Sequence, residues 1–401
     1  MTKKEEKDSS KSRKPANTAF KQQRLKAWQP ILTPKTMLPA LFAIGLIFAP
    51  LGGLLLYASN RVTELEIDYT NCNKAGPNFT PIPPGSHSFN LSPNDTSLQP
   101  SYKFRTETSF LVGRNPNNRT VGRCTLRFTL PETLRAPVFV YYRLTNFYQN
   151  HRRYVKSLDV NQLKGESVPA ASLQSGNCWP LATSSDGLPI YPCGMIANSL
   201  FNDTIGNFTL VSQSPNRTYV FSPKGIAWPS DASKFGKTQY SPAQCRPPPN
   251  WAPRYPDGKY TNEYPPPNIN EDEHFQVWMR TAALPNFRKL YGRNDGESMS
   301  AGTYEVEIDM NFDMSSYGGS KAIILSTITF LGGRNPYLGI AYMVVGALCV
   351  LIALIFTVWH CVRPRKLGDP SYLSWNNPAK AAAMSNAHRR GWGLFRRKKQ
   401  G

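Results

Sequence analysis

The chain is poor in the residues that most often perform chemistry. Its five histidines (His87, His151, His274, His360, His388) are scattered, and none stands at metal-ligand spacing from another histidine, cysteine or carboxylate. A phosphate-binding Gly-rich loop and a Gly-x-Ser-x-Gly elbow are both missing. Acidic residues number 26 against 47 lysines and arginines. Among their groupings, Glu271-Asp272-Glu273 reads as a solvated turn, and Glu305/Glu307/Asp309 as the solvated polar face of a strand. Nothing selects a glycosidase-like pair from them. No catalytic residue, metal or cofactor is expected.

Charge is wholly absent from two long runs, Met37 to Ala58 and Leu338 to Val362, which contain no Asp, Glu, Lys or Arg. Each is long enough as a helix, at about 1.5 Å per residue, to cross a hydrocarbon core of about 30 Å. Soluble core helices seldom stay apolar all round for such a length. Two membrane spans are expected. The first run is too long for a cleavable signal h-region, and small residues are missing from the expected cleavage positions before Asn60, so a retained anchor is favoured. The organisation follows: a basic, mostly disordered tail 1–36, span 37–58, a large segment 59–337, span 338–362 and a second basic tail 363–401.

The net charge of +21 sits mainly in the tails, which carry +7 (residues 1–36) and +9 (363–401). A nucleic-acid-binding domain carries its charge on a folded surface. Basic flanks beside spans mark the cytoplasmic side, so both termini are expected in the cytoplasm and 59–337 outside it. The last residues, Arg389 to Lys399, mix cations with Trp392, Leu394 and Phe395, which suits either a topogenic tail or contact with anionic lipid. Lys398 and Lys399 also resemble a dilysine retrieval signal for the endoplasmic reticulum.

The middle segment reads as secretory. Seven Asn-x-Ser/Thr sequons, Asn78, Asn90, Asn94, Asn118, Asn202, Asn207 and Asn216, all fall between the spans. A proline just after the sequons of Asn78 and Asn90 lowers their expected use; Asn118, Asn207 and Asn216 look best. Five of seven cysteines lie there: Cys72, Cys124, Cys178, Cys193 and Cys245. An oxidising compartment favours pairing. Cys178 and Cys193 suit a stapled loop, but spacing alone leaves connectivity open; Cys245, in a Pro-rich setting, is expected to be the free thiol.

The local pattern is β. Cys124 to Leu130 alternates, as does Tyr304 to Phe312 with Tyr304, Val306, Ile308, Met310 and Phe312 on one face. Val138 to Leu144 and Ile323 to Phe330 are β-branched or aromatic runs. Segment 244–268 holds eight prolines in 25 residues and is expected to be an irregular strap. The fold class is thus a membrane protein with two transmembrane helices flanking a mainly antiparallel, two-layer, glycosylated β ectodomain with long excursions. Gly45, Ala49 and Gly53, spaced every fourth residue in the first span, offer close approach to another helix, and Pro39 and Pro50 offer a bend. Buried charge for a conduction or transport path is missing from the spans.

Several motifs then fall into place in order. Gly225-Ile-Ala-Trp228 precedes Val277-Trp-Met-Arg-Thr-Ala-Ala-Leu-Pro-Asn-Phe-Arg-Lys-Leu-Tyr291; Ala301-Gly-Thr-Tyr304 and Ile324-Leu-Ser-Thr327 follow, and Gly332 to Tyr342 leads into the second span. With Asn17 to Trp28 they make the chain resemble, over 17–362, the Cdc-fifty/ligand-effect-modulator family of accessory β-subunits of type-IV P-type ATPases. The resemblance implies a heterodimer with a catalytic pump that moves phospholipid from the exoplasmic to the cytoplasmic leaflet. It implies a subunit needed for the pump's folding, exit from the endoplasmic reticulum and activity. The Asp-Lys-Thr-Gly phosphorylation motif of such pumps is absent here, so an enzyme is not expected. The resemblance further implies an antiparallel β sandwich, with Cys72 paired to Cys124 and Cys178 to Cys193. Partner contacts are sought at Trp278, Arg280, Arg288, Lys289, Tyr291 and Arg334-Asn335-Pro336, with Gly45, Ala49 and Gly53 in the membrane. Val277 and Met279 alternatively fit a strand's buried face, with Trp278 as core. Two rival classes share the topology: a trimeric ligand-gated cation channel, and a membrane-anchored lumenal hydrolase.

Overall fold

The computed structural model describes residues 17–26, 32–90, 99–108, 120–328 and 333–364. Asn94, Asn118, Lys398 and Lys399 lie outside these residues, as do 1–16 and 27–31 of the first basic tail and 365–401 of the second. The chain divides into a helical unit and a β domain.

The helical unit is built from α1 (Pro34–Asn60) and the last helix, α3 (Pro336–Val362). Both are long and apolar enough to span a bilayer. They meet through small residues. A Cβ on Gly346 would lie 2.7 Å from the Ala49 nitrogen, one on Gly45 2.4 Å from Val350 Cγ2, and one on Gly52 2.7 Å from Met343 N. The seam is therefore Gly45, Ala49 and Gly52 against Gly339, Gly346 and Ala353, the last three being the buried residues of α3, each seven apart. The expected Gly45/Ala49/Gly53 stripe is corrected in two ways. Gly45 and Ala49 serve the chain's own second helix, and Gly53 faces open space, since a Cβ there meets nothing within 4 Å.

The β domain is a sandwich of two antiparallel sheets. One has the order β3 (His87–Asn90), β1 (Glu64–Asp68), β11 (Lys321–Thr327), β6 (Val138–Leu144), β9 (Phe287–Asn294). The other runs β2 (Thr80–Pro81), β4 (Ser101–Thr108), β5 (Thr120–Leu130), β10 (Gly302–Met310), β7 (Thr204–Leu210), β8 (Arg217–Tyr219). Period-2 alternation sends Cys124, Leu126, Phe128 and Leu130 of β5 and Tyr304, Val306 and Ile308 of β10 into the core, where they meet Leu65, Ile67, Val138, Val140, Ile323 and Leu325 of the facing sheet. β1 and β11, the strands nearest in sequence to the two spans, are hydrogen-bonded neighbours in register from Glu64↔Ser326 to Asp68↔Ala322.

The outer face of the second sheet is not the solvated row expected. Arg123 reaches Asp309 at 2.9 Å and Glu107 at 2.6 Å, Arg105 reaches Glu307 at 2.7 Å, and Arg127 pairs with Glu305. Asp309 is fully buried. Cross-strand register explains the ladder, since β4, β5 and β10 align these charges side by side.

A second core lies under the long excursions and holds Tyr142, Phe147, Tyr191, Trp251, Phe275, Trp278 and Phe312. Short helices at Arg152–Lys156, Val160–Leu163 and Met195–Asn198 contribute to it, with α2 (Glu273–Met279), while the helix Ala170–Ser175 packs Leu173 beside Cys178 and Cys193 in a smaller cluster and Pro229–Ala232 lies outside both. The 244–268 strap consists of 3-10 turns and irregular chain. Cys72 and Cys124 form one disulfide, with Cα atoms 6.0 Å apart, and Cys178 and Cys193 another, 5.7 Å apart. By loop entropy these stabilise by roughly 4 and 3 kcal/mol respectively. Cys245 is a buried free thiol whose pKa burial pushes up to about 12, so it is inert rather than reactive.

Candidate functional site

Most of the functional residues expected from sequence gather around α2 and β9. Glu271-Asp272-Glu273, read as a solvated turn, instead begins α2. The Asp272 carboxylate caps it by accepting from the Phe275 N–H at 3.0 Å. Glu273 accepts from the backbone N–H groups of Ile226 at 2.8 Å and Ala227 at 3.0 Å. Burial opposes its charge, but the N–H groups of Ala227, Gly225 and Ile226 and the Lys224 ammonium outweigh burial and hold it below the ordinary glutamate range. This clamp explains the Gly225-to-Trp228 motif. Gly225 takes φ +76°, open to glycine, and turns the loop onto the helix start.

At the other end of α2 the helix leaves its last carbonyls without intrahelical partners. Lys289, from β9, satisfies them: its ammonium donates to the carbonyls of Val277 (2.8 Å), Trp278 (2.9 Å) and Arg280 (2.5 Å). Burial, with Arg280 nearby, pushes its pKa down to about 7. Three carbonyl acceptors hold the Lys289 amine in place inside the fold, which makes it structural and not a surface contact.

Trp278 requires a correction. It lies on a helix and not a strand; it is wholly buried, and its indole N–H donates to the Ile196 carbonyl at 2.8 Å. Its ring packs on Phe147, Phe287 and Phe312. It is a keystone of the second core and offers no surface to a partner. Tyr291 bridges the two cores. Its hydroxyl accepts from the Ile205 N–H at 3.0 Å, its ring stands against His274 at 4.5 Å, and burial pushes its pKa up to about 12. Burial holds the His274 imidazole below its ordinary range.

The remaining cations line an open cleft of about 560 Å³. Its floor is β9, where Arg288 donates to Glu64 at 2.7 Å and Arg293 to the Gly225 carbonyl at 2.9 Å and to Asp295 at 2.8 Å. Its opposite wall is the loop from Gly225 to Asp231. Arg280, 61% exposed, stands over the Trp228 ring at 5.6 Å and reaches Asp231 only at 3.5 Å. Sequence reasoning named Arg280 and Arg288 but missed Trp228, Asp231 and Arg293 as cleft residues. The Gly225-to-Trp228 motif was the available signal, without an indication of what it faced.

Arg334-Asn335-Pro336 is largely a helix start. Asn335 Oδ1 accepts from the Tyr337 N–H at 3.2 Å, and Pro336 takes the first helical position. The Asn335 N–H donates to Ser59 Oγ at 3.0 Å. Arg334 is exposed. Among the described sequons, Asn78, Asn207 and Asn216 are exposed and Asn202 is half-buried; Asn90 commits its amide to the Val62 carbonyl at 2.7 Å.

Two apolar spanning helices around a disulfide-stapled β sandwich define a two-span membrane protein, and no cluster of three metal-ligating side chains exists among its described residues. The chain belongs to the family described as LEM3 (ligand-effect modulator 3) family / CDC50 family, whose model matches residues 55–366. It is 42% identical over 391 residues to the phospholipid-transporting ATPase accessory subunit CDC50 of Chaetomium thermophilum, covering 94% of this chain and 95% of that one. It is 41% identical over 369 residues to the accessory subunit CRF1 of Saccharomyces cerevisiae, covering 92% and 90%. Against cell cycle control protein 50A of Mus musculus it is 42% identical over 373 residues, covering 87% and 89%. None of these relatives carries a channel or hydrolase name.

Proposed function

We propose that this chain is the non-catalytic accessory subunit of a type-IV P-type ATPase phospholipid flippase, required for the pump's folding, exit from the endoplasmic reticulum and activity. The observation that carries this reading is a match running through spans and β domain alike to proteins named as phospholipid-transporting ATPase accessory subunits. The β domain sits on the exoplasmic side and both basic tails in the cytoplasm. The complex works in the endoplasmic reticulum, Golgi, endosome or plasma membrane. The subunit biases the pump's cycle by binding some of its states more tightly than others. In the membrane, the open Gly53 side of α1 and the exposed Arg334 at the start of α3 are its partner contacts; Gly45 and Ala49 hold the chain's own helices together.

Affinity purification of the tagged full chain from membranes in mild detergent tests this. The expected result is near-stoichiometric recovery of a P-type ATPase carrying Asp-Lys-Thr-Gly. Recovery of a stable trimer of the chain alone, with agonist-evoked current, overturns it in favour of a channel.

Topology has its own test. In cells, Asn207→Gln and Asn216→Gln are each expected to remove one endoglycosidase-sensitive mobility step, whereas Asn90→Gln leaves mobility unchanged because its amide is already spent on Val62. Absence of any sensitive step would place the β domain on the cytoplasmic side.

A further inference from the structure

We propose that the cleft between β9 and the loop from Gly225 to Asp231 binds the phosphodiester of a phospholipid headgroup, presented by the leaflet beside the β domain. The reading concerns a lipid on the accessory chain itself and goes beyond its pairing with a pump.

Charge comes first. Arg280, Arg288, Lys289 and Arg293 line the cleft with Asp231; Arg288 is paired to Glu64 and Arg293 to Asp295, which leaves Arg280, with its longer pair to Asp231, as the arginine most open to an anion. A helix C-terminus beside an anion is ordinarily repulsive, because its last carbonyls carry partial negative charge. Here α2 ends at the cleft, and Lys289 neutralises those carbonyls from within. The wall is thereby made compatible with an anion while the arginines supply the planar donors that suit phosphate oxygens. Arg280 is the adjustable member. Its ion pair with Asp231 is long at 3.5 Å, and it is mostly exposed.

Position comes second. Arg288 is tied to Glu64, four residues after the last residue of α1. It also lies against Gly333, three residues before α3 begins, where an added Cβ would sit 2.9 Å from its Nη2. One end of the cleft is thus held by residues close in sequence to both spans. Trp228, 64% exposed, stands at its rim, an amphipathic ring of the kind enriched at headgroup level. A volume of about 560 Å³ exceeds what a bare phosphate fills and accommodates a headgroup with its glycerol.

The test uses the purified full chain in dodecyl maltoside, both free and in complex with the pump it recovers. Binding of dioctanoyl phosphatidylserine, dioctanoyl phosphatidylcholine, dioctanoylglycerol and inorganic phosphate is measured by native mass spectrometry. Both phospholipids are expected to bind in both preparations, with dioctanoylglycerol and inorganic phosphate at least tenfold weaker. Arg280→Glu is expected to weaken the phospholipids fivefold or more with an unchanged melting temperature. Should that variant melt early, Arg280→Gln and Trp228→Ala at unchanged melting temperature are expected to weaken them at least twofold. Equal binding by wild type and variants overturns the proposal. So does equal binding of dioctanoylglycerol, which marks an apolar groove, or of inorganic phosphate, which marks a free-anion site. Lipid binding that disappears in the complex also overturns it, because the cleft is then covered by the partner's polypeptide.

Discussion

Asp203→Ala is expected to destabilise the β domain by about 3–5 kcal/mol, the usual cost of stranding one member of a buried ion pair. The Asp203 carboxylate is completely buried and accepts four hydrogen bonds: from Tyr69 Oη (2.9 Å), Asn311 N (2.6 Å), Phe312 N (2.6 Å) and Lys321 Nζ (2.7 Å). Lys321 also donates to the Phe312 carbonyl at 2.7 Å and lies 5.3 Å from the centre of the Tyr69 ring. The node ties the start of β7, the segment after β10 and the start of β11 to the chain following β1. Alanine leaves the Lys321 ammonium, the Tyr69 hydroxyl and two N–H groups facing an empty space. A fall in melting temperature on the order of 10 °C follows for a domain of this size. Asp203→Asn keeps the shape but not the charge and is expected to fall between wild type and alanine. Thermal unfolding of the purified full chain, followed by circular dichroism, reads both; an alanine variant melting with wild type would show that the node contributes nothing.

Trp278→Ala carries an effect of similar size, about 3–5 kcal/mol, because a fully buried indole is removed and the second core cannot close over the space. The same substitution distinguishes two roles. A core residue lowers the melting temperature of the free chain, and pump recovery falls only as folded chain is lost. A contact residue lowers recovery at unchanged melting temperature. The first pattern is expected for Trp278 and the second is excluded by its burial. Arg280→Ala is the control: its guanidinium lies mostly in water, so its melting temperature is expected to stay with wild type.

These two residues also mark how far the sequence could be read. β5 and β10 were legible because each is buried on one face, and period-2 alternation is the direct imprint of that burial. The spans were legible because bilayer thickness demands length and lack of charge. α2 was not: seven residues make less than two full helical turns, and Val277 and Met279 flanking Trp278 imitate strand alternation. The small-residue seam was half read. A four-residue step led from Ala49 to Gly53, whereas packing against Gly339, Gly346 and Ala353 uses the three-residue step to Gly52. Asp203 and the Arg123–Asp309 pair depend on partners 118 and 186 residues away, which only strand register brings together. The cleft shares that character. Arg280 and Arg288 were named singly and Arg293 was not, because their convergence needs Glu273 to hold the Gly225 loop over β9.

The pairing of β1 with β11 has a mechanical consequence. The strands next in sequence to the two spans are locked to each other by a ladder of five register pairs. Pulling β1 and β11 past each other along their length loads that ladder in shear, with its hydrogen bonds strained together instead of opening one at a time. The Thr63 carbonyl and the Thr327 N–H, 3.0 Å apart, extend the lock beyond β1 at the end nearest the helices. The strand pair is stiff against sliding and yields more readily to a pull that opens its register pairs one after another from the Glu64 end.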